Sequence, residues 1–238
     1  MTTAPGTGEL PSDQSNNNKL NKLRAAVLGA NDGIVSVASV VMGVLGATSD
    51  HAAIAMAGLA ALAAGALSMA VGEYVSVSSQ SDAEKADINR QRHLLSADPS
   101  GQRDELAREY MKQGVSEATA RQVATELSRK DPLRAHLRVH FNPDPNDINN
   151  AIHAATASFV AFTVGGLIPF LAMVLSPGSA RIPATLIAVG IALFTTGYLS
   201  SAVGKTSRPR AILRVMMGGA GAMAITYVIG LLFGTTLH

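Results

Sequence analysis

Residues 52–79 read AAIAMAGLAALAAGALSMAVGEYVSVSS and carry a single charge, the carboxylate of Glu73. At about 1.5 Å per residue such a stretch, as a helix, exceeds the roughly 30 Å hydrocarbon layer of a bilayer. Four other apolar segments share its character, at about 25–47, 152–175, 183–203 and 212–235. All are rich in Ala, Gly, Ser or Val, which are middling helix formers in water but let helices approach closely in lipid. Of the 238 residues, 47% are hydrophobic and only 15% charged, against about 25% charged in soluble domains. The fold class that follows is all-α: a polytopic membrane protein with five transmembrane helices and a small cytoplasmic helical domain between the second and third. Without cysteine, disulfides and thiolate metal sites are excluded.

Four regions are expected. Residues 1–18 are polar and Asn-rich, too poor in apolar surface to offset the entropy of ordering, and are expected to be a disordered tail. The first apolar run is too long for a secretory signal and lacks a cleavage pattern. Residues 19–80 hold the first two spans, 81–150 the helical domain and 151–238 the last three spans. Gly165-Gly166 and the group Gly218, Gly219, Gly221 are expected at close helix contacts, with Pro169 a kink rather than a break.

Eighteen of the nineteen basic residues fall on one side of these spans, and Arg181 alone on the other. The positive-inside rule makes the crowded side cytoplasmic, with the N-terminus inside and His238 outside. The tract 81–150, with eleven basic and twelve acidic residues, divides into helices at 81–95, 102–113, 117–130 and 133–141. The signals are Asp98-Pro99 as a break, Gly114 as a stop and Ser116 as an N-cap. Leu106, Tyr110 and Met111, then Ala120, Val123, Ala124 and Leu127, give it an apolar face. The second span continues from Glu73 to Asp87 without Pro or Gly, as one helix would. Residues 142–150 are a Pro/Asn/Asp linker.

Asp32 and Glu73 are the carboxylates inside the spans, and an ionisable group there costs about 2.5–3.5 kcal/mol on insertion scales. Asp32, within Gly29-Ala30-Asn31-Asp32-Gly33, is a functional candidate or else an interfacial residue that snorkels or caps a helix break. Gly65, Met69, Gly72, Glu73, Ser76 and Gln80 recur on one helical face. Met69 and Glu73, one turn apart, pair a thioether with a carboxylate, which suits Fe²⁺ better than Ca²⁺ or Mg²⁺. His136 and His140, four residues apart on one helix, are candidate metal ligands or members of a solvated face. No phosphate loop or nucleophile–base pair points to an enzyme, and no cofactor is indicated. Basic residues that alternate with acids and lack interleaved aromatics argue against nucleic acid.

Three stretches carry a resemblance: LRAAVLGANDGIVSVASVVMGVLGA, GALSMAVGEYVSVSSQSDAEKAD and REYMKQGVSEATARQVATEL. By these the chain, over residues 20–238, resembles the vacuolar iron transporter family, which has many bacterial members. The resemblance implies five spans, a homodimer with the ion path on its two-fold axis, and export of Fe²⁺ from the cytosol in exchange for protons. Mn²⁺ is a second expected cargo. A bacterial chain would reside in the inner (plasma) membrane. Asp32, Met69 and Glu73 match the family's path-lining positions. In members with a metal-binding cytosolic domain, two Glu-x-x-Glu pairs fall, by gapless placement, on Gln91, Leu94, Gln102 and Glu105. Of these only Glu105 retains a carboxylate, while a further Met and Glu fall on His136 and His140. The domain is therefore expected to hold a weaker, His-based site or none. The rival expectation is a membrane-anchored interaction protein whose working part is 81–150.

Overall fold

The computed structural model describes residues 12–140, 150–204 and 206–234. Among these every long element is helical: α1 (Ser12–Ala47), α2 (His51–Ala97), α3 (Pro99–Lys112), α4 (Glu117–Lys130), α5 (Pro132–His140), α6 (Ala151–Leu175), α7 (Arg181–Gly204) and α8 (Arg208–Gly234). A short 3₁₀ turn, Gly178–Ala180, precedes α7. Among the described residues, five stretches are long and apolar enough to cross a bilayer: Ala25–Ala47, His51–Ala97, Ala151–Leu175, Gly178–Ala202 and Arg208–Gly234.

The chain forms two compact units, residues 1–73 with 155–238, and residues 74–154. In the first, α1 is the central helix, and its sequence serves two neighbourhoods. Ile34, Ala38 and Met42, spaced by four, are buried against Val189 and Leu193 of α7 and Met223 of α8. Val37 and Val41, on the adjoining face, are buried with Ile54, Leu62 and Ala66 of α2 and Phe162 and Met173 of α6. Glycines set the spacing. A Cβ on Gly33 would strike the carbonyl of Phe162 and stand 2.9 Å from Gly166 N, while one on Gly165 would strike the carbonyl of Ala30. Backbone meets backbone there, and only glycine leaves room. Gly230 of α8 meets the carbonyl of Gly43 in the same way. The outer faces stay apolar, with Leu67, Val71, Val164, Ile187, Ile191 and Leu232 exposed. In water such a surface would aggregate, whereas lipid is its natural solvent.

Several expectations are corrected. Helix α1 begins at Ser12, so residues 12–18 are helical instead of tail. Extending a nucleated helix gains a hydrogen bond for each residue fixed, which polar side chains do not prevent. Residues 1–11, the linker residues 142–149 and residues 235–238 lie outside those described. Gly165, Gly166 and Gly219 do sit at helix contacts, but added Cβ atoms on Gly218 and Gly221 would meet nothing within 4 Å. Helix α6 runs through the buried Pro169 without a break.

In the second unit α2 continues unbroken to Ala97. Asp98 then ends one helix and begins the next. Its carboxylate accepts from Gly101 N and from Ser100 Oγ, both at 2.9 Å, and Pro99 supplies the first turn. Helix α3 thus starts three residues earlier than expected, since Pro is favoured at the first helical position. Gly114, at φ +92°, stops α3, with Val115 N bonded to Tyr110 O at 3.2 Å. Ser116 occupies the N-cap position, yet its hydroxyl pairs with Thr119 Oγ1 at 2.9 Å and caps no backbone N–H. Leu106 and Ala107 of α3, Ala124 of α4 and Ala135 of α5 form the core, flanked by Tyr110, Leu127 and Val139. Alanine at the contacts lets three short helices pack closely.

Candidate functional site

Asp32 lies on the one side of α1 that α2, α6, α7 and α8 leave open, with Leu28 and Val40 exposed on the same side. Its carboxylate is exposed and accepts a hydrogen bond from Ser36 Oγ at 3.0 Å, across one helical turn. Beside it, Thr196 Oγ1 lies 3.5 Å from Asn31 Oδ1 and also donates to Leu193 O at 3.2 Å. Thr196 is buried, so α7 brings a hydroxyl to the polar step of α1. Neither Asn31 nor Thr196 was singled out from sequence, although an amide beside an intramembrane carboxylate was an available signal.

Met69 of α2 packs beside Gly29 of α1. Its Sδ and Cε lie 3.7 and 3.3 Å from where a Cβ on Gly29 would stand, and Ala161 Cβ lies 2.9 Å from the same point. Gly29 precedes Asp32 by three residues, so Met69 packs against α1 one helical turn before the residue that carries the carboxylate. A Cβ at Gly29 would crowd Ala161 first and Met69 Cε next. Glu73, one turn beyond Met69 on α2, is half-exposed. Gly65 packs on the ring of Phe162, whereas Gly72 faces open space. The stripe read from sequence thus changes along its length from packing to a free polar edge. An exposed carboxylate on α1, a half-exposed carboxylate on α2 and a soft sulfur between packed helices can each offer a ligand to a cation.

In the second unit, the four positions singled out by the gapless placement behave differently. Gln91 is buried, and its Nε2 donates to Gln102 Oε1 at 2.7 Å; Gln102 Nε2 in turn donates to Glu105 Oε2 at 2.9 Å. Gln91, Gln102 and Glu105 therefore meet between α2 and α3 as a hydrogen-bonded chain, and Leu94 stays exposed. His136 is fully buried in α5, so it is not part of a solvated face. His140 is the last residue of α5, and its side chain lies outside those described. Among the described residues of a single chain, no three His, Asp or Glu side chains gather as a metal cluster.

These features define a multi-pass helical membrane protein with a polar step on its central helix and a separate helical unit. The chain belongs to the VIT family, whose model matches residues 23–231. It is 40% identical over 220 residues to a vacuolar iron transporter of Acanthamoeba castellanii, covering 90% of this chain and 79% of that one. It is 35% identical to vacuolar iron transporter homolog 2 of Oryza sativa, covering 91% and 93% of the two chains. Vacuolar iron transporter homolog 2 of Arabidopsis thaliana is 36% identical, with 89% and 84% covered.

Proposed function

We propose that the protein is a homodimeric transporter that carries Fe²⁺, and Mn²⁺ as a second cargo, out of the cytosol in exchange for protons. The observation that carries this reading is the packing of Met69 against Gly29, the residue one helical turn before the intramembrane Asp32 on α1. Family membership and the relatives' names support iron as the cargo. A second copy laid on the open side of α1 would bring two Asp32 carboxylates together, completing a site that one chain leaves partial. A dehydrating ion enters past Glu73 and Met69 and reaches Asp32. Each carboxylate binds either a proton or the metal, and that competition links the two fluxes. In this reading the charge-rich unit faces the cytoplasm, and in a bacterial cell the protein lies in the inner membrane.

Uptake of Fe²⁺, Mn²⁺ and Zn²⁺ into proteoliposomes under an imposed pH gradient tests it. Flux of Fe²⁺ that disappears in Asp32→Ala supports the transporter. A folded protein with no flux of any of these ions would favour the membrane-anchored interaction protein instead.

A further inference from the structure

We infer that the start of α8 is a binding site for the headgroup of an anionic phospholipid, formed by Arg210 and Arg214. The sequence SRPRAILR places Arg208, Arg210 and Arg214 in the first turns of that helix, and no acidic residue follows Asp147 in the chain. All three arginines are exposed, and among the described residues no ion pair reaches any of them. Their charge is therefore uncompensated within the fold.

Depth is fixed by two observations. From Val215 to Gly234 helix α8 has no charged residue and rises about 30 Å, the thickness of the hydrocarbon layer. Arg214 thus stands at the edge of that layer. Arg208 lies over the ring of Tyr198 on α7, 5.3 Å from its centroid, and tyrosine settles at headgroup level because its ring is apolar and its hydroxyl polar. The α7–α8 corner is a membrane boundary on both helices.

Arg208 is occupied by that ring, while Arg210 and Arg214 point together from the other side of α8, one turn apart. Ala211 is buried against the bundle, and Leu213 and Met217 are exposed beside the two arginines. Two planar guanidinium groups can hold one phosphodiester bidentately, and Leu213 with Met217 offers an apolar track for its acyl chain. A free phosphate would use only the first half of this arrangement, so the lipid is the ligand. The inference rests on the membrane location of the chain and not on the ion it moves.

The full chain in detergent would be titrated with phosphatidylglycerol, phosphatidylcholine or inorganic phosphate, and bound lipid read by native mass spectrometry. Phosphatidylglycerol should be retained over phosphatidylcholine, and R210Q/R214Q should weaken its binding about 30-fold, as expected for two interfacial charges. Equal retention of both lipids, an unchanged affinity in R210Q/R214Q, or displacement of phosphatidylglycerol by an equal concentration of inorganic phosphate would overturn the inference. Should R210Q/R214Q not fold, R210K/R214K is decisive, because ammonium groups keep the charge but cannot fork a phosphate. Binding should then fall by about threefold or more, and no fall would overturn it.

Discussion

Met69 packs against Gly29, its Cε 3.3 Å from where a Cβ on that glycine would stand, with Ala161 Cβ at 2.9 Å from the same point. One glycine on α1 thereby leaves room for a thioether on α2. Gly29→Val should expel Met69, at an overpacking cost of about 1–3 kcal/mol, and should lower Fe²⁺ flux at least tenfold. Gly72→Ala, which meets nothing within 4 Å, should leave flux within about twofold, since helix propensity is improved and no contact is made. Equal effects of the two substitutions in proteoliposomes would break the link between Gly29 and the ion path.

Charge and softness can be separated at the proposed path. Asp32→Asn and Glu73→Gln preserve shape and remove charge, so each should abolish flux while the thermal unfolding midpoint stays near that of the parent. Met69→Leu should reduce Fe²⁺ transport about tenfold and Mn²⁺ transport much less, because the harder ion gains less from sulfur. The ratio of the two fluxes in one preparation is the measurement. An unchanged ratio would assign Met69 to packing alone.

The amide chain in the second unit predicts weak metal capture. Gln91 and Gln102 spend their hydrogen-bonding groups on each other and on Glu105. In a background of Asp32→Asn and Glu73→Gln, the parent should bind Mn²⁺ only weakly by calorimetry. Gln91→Glu/Leu94→Glu/Gln102→Glu should bind at least tenfold tighter and should lose stability at neutral pH without metal, as like charges gather. His136→Ala, at a fully buried position, should cost about 2–4 kcal/mol of stability.

Asp98 gives the second unit an acid-sensitive joint. The Gly101 N–H first, and then the Ser100 hydroxyl, hold its carboxyl below the ordinary aspartate range. A depressed folded-state pKa means that its contribution is complete above the unfolded value and is lost as pH falls through the lower folded one. Amide exchange at the start of α3 should therefore accelerate only below about pH 4. In Asp98→Asn, which keeps the capping oxygen without the charge, that acid step should vanish.

Topology is open to a direct test. A reporter fused after His238 should be extracytoplasmic, and one inserted beside Gly101 should be cytoplasmic. A cytoplasmic C-terminus would refute the proposed orientation.

The sequence by itself determined the number of spans and the breaks between the short helices. Span length, the Asp98-Pro99 pair and Gly114 act locally, within a turn or two of chain, so they are legible without neighbours. It also marked Asp32, Met69 and Glu73, because a carboxylate is conspicuous where almost everything else is apolar. Which face of each span meets which partner was decided only by tertiary structure. In a segment such as Ala52–Leu67 nearly every position is apolar or small, so helical periodicity carries no inward or outward signal. Gly33 and Gly165 touch neighbouring backbone while Gly218 and Gly221 face open space, yet in sequence they look alike. The same holds for the meeting of Gln91, Gln102 and Glu105, for the burial of His136 and for the seat of Met69 on Gly29. Each depends on two helices arriving at one place, and packing between segments distant in sequence is what fixes that.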